Sequence, residues 1–253
     1  MLDRYSKLTD FEVFTEEEKL GEIHDIYFED GDWQVRYAII ESGDWLLGER
    51  FIIAMEALGK PNWENKRIVA DVSREDIESR PKIDFAKPVS RDRLSELHQH
   101  YQWAPVMPSS APPGSPIVGP YPILPPTADI TERRKLLDEA EEGESSLRSA
   151  QEVGGYEIEC ENDCIGSVED FFIDEDGWII RYLLIDIRRW IKERRVIVSP
   201  DWVSEIDWLG EEIEVDLTKN QIENSPEFDP SEAPTRKYET ALYDFYHQPG
   251  YWL

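Results

Sequence analysis

Ile165-Gly166-Ser167-Val168-Glu169-Asp170-Phe171-Phe172-Ile173, then Asp174-Glu175-Asp176-Gly177, then Trp178-Ile179-Ile180-Arg181-Tyr182-Leu183-Leu184-Ile185 is the stretch whose reading decides the fold. β-Branched and aromatic residues on both sides of an acidic turn that contains Gly predict a β-hairpin. The same pattern occurs earlier, as 23–28, then Glu29-Asp30-Gly31-Asp32, then 33–40. The two hairpins are copies. A gapless shift of 145 places aligns 20–84 with 165–229, with 16 identical residues among the 65 positions. Three of the matched pairs are tryptophans: Trp33/Trp178, Trp45/Trp190 and Trp63/Trp208. Gly21/Gly166, Asp25/Asp170 and Arg36/Arg181 also match, and so, further on, do Leu97/Leu242 and Tyr101/Tyr246. Coincidence does not place rare residues in step like this, so the chain is an internal duplication.

Working outward from the hairpins, short strands are predicted at 51–53 and 196–198, and at 68–72 and 213–217. The last two alternate with period two, as half-buried strands do. Many short strands at this spacing favour a small barrel or rolled sheet. Each copy then carries a short helix, opened by Ser73 or Thr218 and stopped before Pro81 or Pro226. Longer helical tails are predicted at 90–101 and 235–247. Between the copies, 104–126 holds nine prolines and no charged residue, so an extended strap is expected, with a helix at 131–142 after it. The expected division is therefore 1–103, a first barrel with a helical tail; 104–150, a Pro-rich strap and helical connector; and 151–253, a second barrel with an aromatic helical tail.

With 55 acidic against 27 basic residues, the net charge is −28. Residues 1–103 carry −9 and residues 127–253 carry −19. Such a balance excludes a role built on phosphate contacts, and equally a polybasic grip on anionic lipid. No apolar run approaches the roughly 18 residues of a spanning helix. Two cysteines are no disulfide framework, and a reducing, cytoplasmic setting is expected.

Leu147-Arg148-Ser149, Gly155-Tyr156, 165–171, Ile180-Arg181-Tyr182-Leu183 and Val198-Ser199-Pro200, taken with the order of elements, resemble the PRC-barrel. The resemblance implies an all-β fold with minor helices, made of two small PRC-type β-barrels. Domains of this kind occur in the cytoplasmic part of the H subunit of purple-bacterial photosynthetic reaction centres and in a ribosome-maturation factor. The chain's ending, 243–252, is similar to that of stand-alone tandem PRC-barrel proteins.

Candidate sites are few. Asp25 and Arg36, and likewise Asp170 and Arg181, are expected to face each other across hairpins centred between Asp30 and Gly31 and between Glu175 and Asp176. Such pairs fix register, with orientation of a ligand as the alternative. The run 174–177 fails as a calcium loop, because the twelfth position, which needs a bidentate Glu, is Ile185. Cys160 and Cys164 read as two free thiols, with a disulfide across a tight turn as the alternative. His98 and His100 lie two apart and cannot chelate one ion from a helix. Tyr238, Tyr243, Phe245, Tyr246, Tyr251 and Trp252 bring large apolar area to the chain's end, to be buried against a barrel of the same chain or against a partner. An exchange in which each tail covers the other copy's barrel is a further option.

No catalytic, cofactor-binding or metal-ligating set emerges. The expected function is a soluble, non-catalytic binding or scaffolding protein with protein partners or self-association, and with neither nucleic acid nor direct membrane insertion. The alternative is an accessory of a photosynthetic or electron-transfer membrane complex, in peripheral contact through a membrane protein. An enzyme ranks last.

Overall fold

The structure is a computed structural model, and it describes residues 1–85, 89–104, 147–161, 163–187 and 194–252. The expected strap at 104–126 lies outside the described residues but for Ala104, and the helix at 131–142 wholly so. The fold is all-β with minor helices. In chain order the strands are β1 (Leu2–Arg4), β2 (Glu12–Phe14), β3 (Lys19–Glu29), β4 (Val35–Ser42), β5 (Arg50–Ala54) and β6 (Arg67–Val69) in the first half. The second half holds β7 (Leu147–Ser149), β8 (Glu157–Cys160), β9 (Asp163–Asp174), β10 (Ile179–Ile187), β11 (Arg194–Val198), β12 (Val203–Asp207) and β13 (Glu212–Val215). The helices are α1 (Tyr5–Leu8), α2 (Arg74–Ser79), α3 (Arg91–Tyr101), α4 (Ala150–Val153), α5 (Lys219–Asn224) and α6 (Arg236–Tyr246).

The 145-residue repeat survives in three dimensions. α2 and α5 start at Arg74 and Lys219 behind matching capping boxes, in which Ser73 and Thr218 each accept from the amide three residues on. α3 and α6 start at Arg91 and Arg236 and end in left-handed Gln102 and His247. Trp33 and Trp178 share a left-handed backbone in the hairpin turns. The first hairpin is wider than its sequence suggests. Asp25 pairs with Ile39 and Tyr27 with Tyr37, with register shifts on either side.

The chain divides into two compact units. The N-terminal unit comprises Ser6–Glu152 and Gly177–Ile179; the C-terminal unit comprises Met1–Tyr5, Val153–Asp176 and Ile180–Leu253. Against the division drawn from sequence, residues 1–5 of the expected first barrel lie in the C-terminal unit, while 151–152 and 177–179 of the expected second barrel, and 147–150 of the expected connector, lie in the N-terminal one.

In the N-terminal unit the strand order is β5-β4-β3-β2-β6, and β7 adds antiparallel to β3. β2 runs parallel to β6, which hairpin reading alone does not foresee. Its core gathers Tyr27, Tyr37, Ile39 and Ile52 from the sheet with Leu94 and Leu97 of α3 and Leu147 of β7. In the C-terminal unit the order is β11-β10-β9-β8-β13-β12, and β1 adds antiparallel to β9. Phe171, Phe172, Tyr182, Leu184 and Ile197 are buried there, as are Leu242 and Tyr243 of α6. Among the described residues no helix is long and apolar enough to cross a membrane.

Candidate binding face

The paired carboxylates come first, because sequence singled them out. Asp25 and Asp170 are 3% and 2% exposed, so each must find partners within the protein. The partners are not the arginines across the hairpins. Asp25 takes the Ser149 hydroxyl at 2.5 Å, the Gln151 amide at 3.1 Å and its neighbour Ile26 amide at 2.7 Å. Asp170 takes Arg4 Nε at 2.6 Å and the Phe171 amide at 2.8 Å. Arg36 instead binds Glu29 at 2.7 Å and Asp32 at 3.0 Å. Arg181 lies 3.6 Å from Asp174 and stacks over the Tyr251 ring at 4.4 Å. The expected Asp25–Arg36 and Asp170–Arg181 pairs are therefore corrected. In the first hairpin the wide turn moves residue 39, not 36, opposite Asp25. The aspartates anchor a strand all the same, namely β7 in one unit and β1 in the other.

The terminal aromatics pack in cis within the C-terminal unit. Tyr243 meets Tyr182 and Trp202 edge-on, Tyr246 packs on Trp202, and Tyr238 donates to the Pro226 carbonyl at 2.8 Å. Phe245, only partly buried, packs edge-on to Tyr246. Glu239, 2% exposed, sits among them and accepts from the Tyr182 and Tyr251 hydroxyls, each at 2.8 Å, with Arg236 at 3.2 Å. Burial, then the Glu239 hydrogen bond, pushes the Tyr251 hydroxyl up to about 12. Arg236 in turn lies 4.1 Å over the Trp252 ring. Sequence reasoning named the aromatics but missed Glu239, because a Glu in a polar helix carries no sign of burial.

The remaining candidates are structural. Cys160 is buried and Cys164 exposed, and no disulfide joins them. Burial pushes the Cys160 thiol up to about 11, which makes it a poor nucleophile at neutral pH. His98 faces the Ala104 carbonyl through Nδ1 at 2.5 Å, so that nitrogen carries the proton. In the neutral ring Nε2 then accepts from the Tyr37 hydroxyl at 2.8 Å. His100 donates separately, through Nε2, to the Asp76 carbonyl.

The feature that sequence reasoning missed is a sheet face. β8 and β13 run parallel with Glu157 opposite Glu212 and Glu159 opposite Glu214. β12 adds antiparallel with Glu205 opposite Glu214 and Asp207 opposite Glu212. Ile158 and Ile213 point inward and are fully buried, so the alternating carboxylates share the outer face. Like charges directly opposite one another destabilise a sheet. The effect is visible at Glu212, held above the usual carboxylate range chiefly by Glu159, then by partial desolvation, Asp207 and Glu157.

The corresponding face of the N-terminal unit is balanced. There Glu12 accepts from Lys19 at 2.6 Å and lies 3.8 Å from Arg67, which stacks over Phe14 at 4.0 Å. The 145-residue shift would have exposed the contrast, since Glu12, Phe14, Lys60, Arg67 and Val69 stand where Glu157, Glu159, Glu205, Glu212 and Glu214 recur.

Residues 2–77 match the family model of the PRC-barrel domain. The similarity to a PRC-barrel domain thus covers residues 2–77, while the likeness of the second half rests on the internal repeat. No curated protein matches the chain.

Proposed function

We propose that this protein is a non-catalytic binding and scaffolding protein whose second half engages a cationic protein partner through the outer face of β8, β13 and β12. One observation carries the reading: four in-register pairs of carboxylates face one another across three adjacent strands. An arrangement that costs stability in the free protein is explained if a partner's Lys and Arg side chains relieve it on binding. The balanced face of the other unit supports the same reading, because the fold itself does not require the repulsion. The PRC-barrel match is in keeping with a binding role, although a fold alone does not assign one.

The test is binding of the full chain to an immobilised Lys- and Arg-rich peptide across a salt series. Affinity should fall steeply with salt, and at least tenfold on combining Glu159→Gln, Glu212→Gln and Glu214→Gln. The same number of neutralisations at Glu75, Asp92 and Glu96 should leave affinity within about twofold. Equal losses from both sets would reduce the effect to net charge and overturn the assignment of the face.

A further inference from the structure

Each unit is completed by a strand from the other half of the chain. β1 precedes the first hairpin and falls within the PRC-barrel match at residues 2–77, yet its Cα partners are Asp174, Ile173 and Phe172. β7, which starts 145 residues after β1, pairs with Tyr27, Phe28 and Glu29. The exchange is reciprocal, and both donated strands are firmly held. In β7, Leu147, Arg148 and Ser149 are all buried, Arg148 binds Asp30 at 2.9 Å and Ser149 binds Asp25. In β1, Arg4 binds Asp170 and reaches the Pro230 carbonyl at 3.3 Å, while the Met1 amine lies within 3.7 Å of Asp174, Glu175 and Asp176.

We infer that the two halves are obligate strand donors to each other, so that the chain behaves as a tethered heterodimer of its own halves. The partner each half fits is the complementary half. The covalent link through 105–146 then raises their effective concentration but is not what completes either sheet. Withdrawing either donated strand would strip a buried aspartate of its main partner, which penalises separation on both sides at once.

The experiment inserts a site-specific protease sequence between Gly114 and Ser115 and cuts the folded full chain under native conditions. The two fragments should co-elute at the mass of the uncut chain, 29.6 kDa plus the insert, and separate only in denaturant. Fragments that part on the native column would overturn the inference. A cysteine pair then distinguishes strand exchange from mere adhesion. Leu2 lies opposite Asp174, whereas Glu29, its counterpart in its own half, lies opposite Leu147. After cutting, Leu2→Cys with Asp174→Cys should give one full-length band on a non-reducing gel, beyond any given by Leu2→Cys alone. Leu2→Cys with Glu29→Cys, both in the N-terminal fragment, should form no disulfide within it, read from peptide masses after the remaining thiols are alkylated. An excess of disulfide between positions 2 and 29, and none between 2 and 174, would place β1 in its own half and overturn the exchange.

Discussion

Gly21 and Gly166 show how a residue can be conspicuous in the sequence while its reason lies elsewhere. A Cβ at Gly21 would sit 2.2 Å from the Glu41 carbonyl oxygen, and one at Gly166 would sit 2.3 Å from that of Asp186. Both obstacles are backbone on the neighbouring strand, so neither yields by rotating a side chain. Gly21→Ala and Gly166→Ala should each cost about 2 kcal/mol, read as a lower urea midpoint. The buried Glu239 tests hydrogen bonding at the same scale. Tyr182→Phe removes one of its two phenol donors without changing the packing volume. The loss should be about 1–2 kcal/mol, visible in the same unfolding measurement. Sequence comparison of the two halves finds the glycines and both aspartates, because identity across a repeat needs no structure. It does not find their partners. Asp25 reaches Ser149, 124 residues away, and no local spacing encodes that distance.

At the scale of elements, legibility follows length and periodicity. The hairpin strands, the capped helices and the aromatic tail helix all carry local signals, and all appear where the sequence places them to within a few residues. β1 and β7 are three residues each, too short to show alternation, and their place is fixed by a buried carboxylate in a distant strand. An exchange between copies was among the sequence expectations, but for the tails. The tails stay with their own barrels and the leading strands exchange instead. α6 buries Leu242, Tyr243 and Tyr246 against the C-terminal unit, at 0%, 3% and 3% exposure. Side chains of that size are worth about 1.5–3 kcal/mol each when buried. A chain ending at Pro234 should therefore lose about 5 kcal/mol or more from the C-terminal unit. In circular dichroism melts it should show an early transition of that unit, with the transition of the N-terminal unit little changed. An unchanged melting curve would remove the tail from the core.

For the whole molecule, the excess of negative charge becomes a located quantity. Its sharpest expression is Glu212, whose carboxyl is raised above its ordinary value of 4.5, first by Glu159 and then by desolvation, Asp207 and Glu157. The sign of the linkage follows directly. A carboxyl that holds its proton more tightly when folded contributes fully to stability below its unfolded value, and loses that contribution as pH rises through its folded value. As pH rises into the neutral range that contribution is lost and the repulsion is felt. Glu212→Gln cannot ionise, so it should be more stable than the parent at pH 7. For a half-buried cross-strand pair in a chain of this length the gain should be about 1 °C in Tm. As pH falls through the carboxylate range the parent takes up its own proton and the difference should close, vanishing by about pH 3.5. Comparing variant with parent at each pH isolates this residue from Glu12 and Glu49, whose carboxyls are shifted the opposite way by Lys and Arg partners. The cationic peptide used to test the proposed function supplies the complementary arm. Bound to the parent at pH 7 it should raise Tm, and bound to Glu212→Gln it should raise it less, because part of the repulsion it relieves is already gone. A gain in Tm for the variant that is equal at pH 7 and pH 3.5 would mean that packing, not charge, sets the cost of this face.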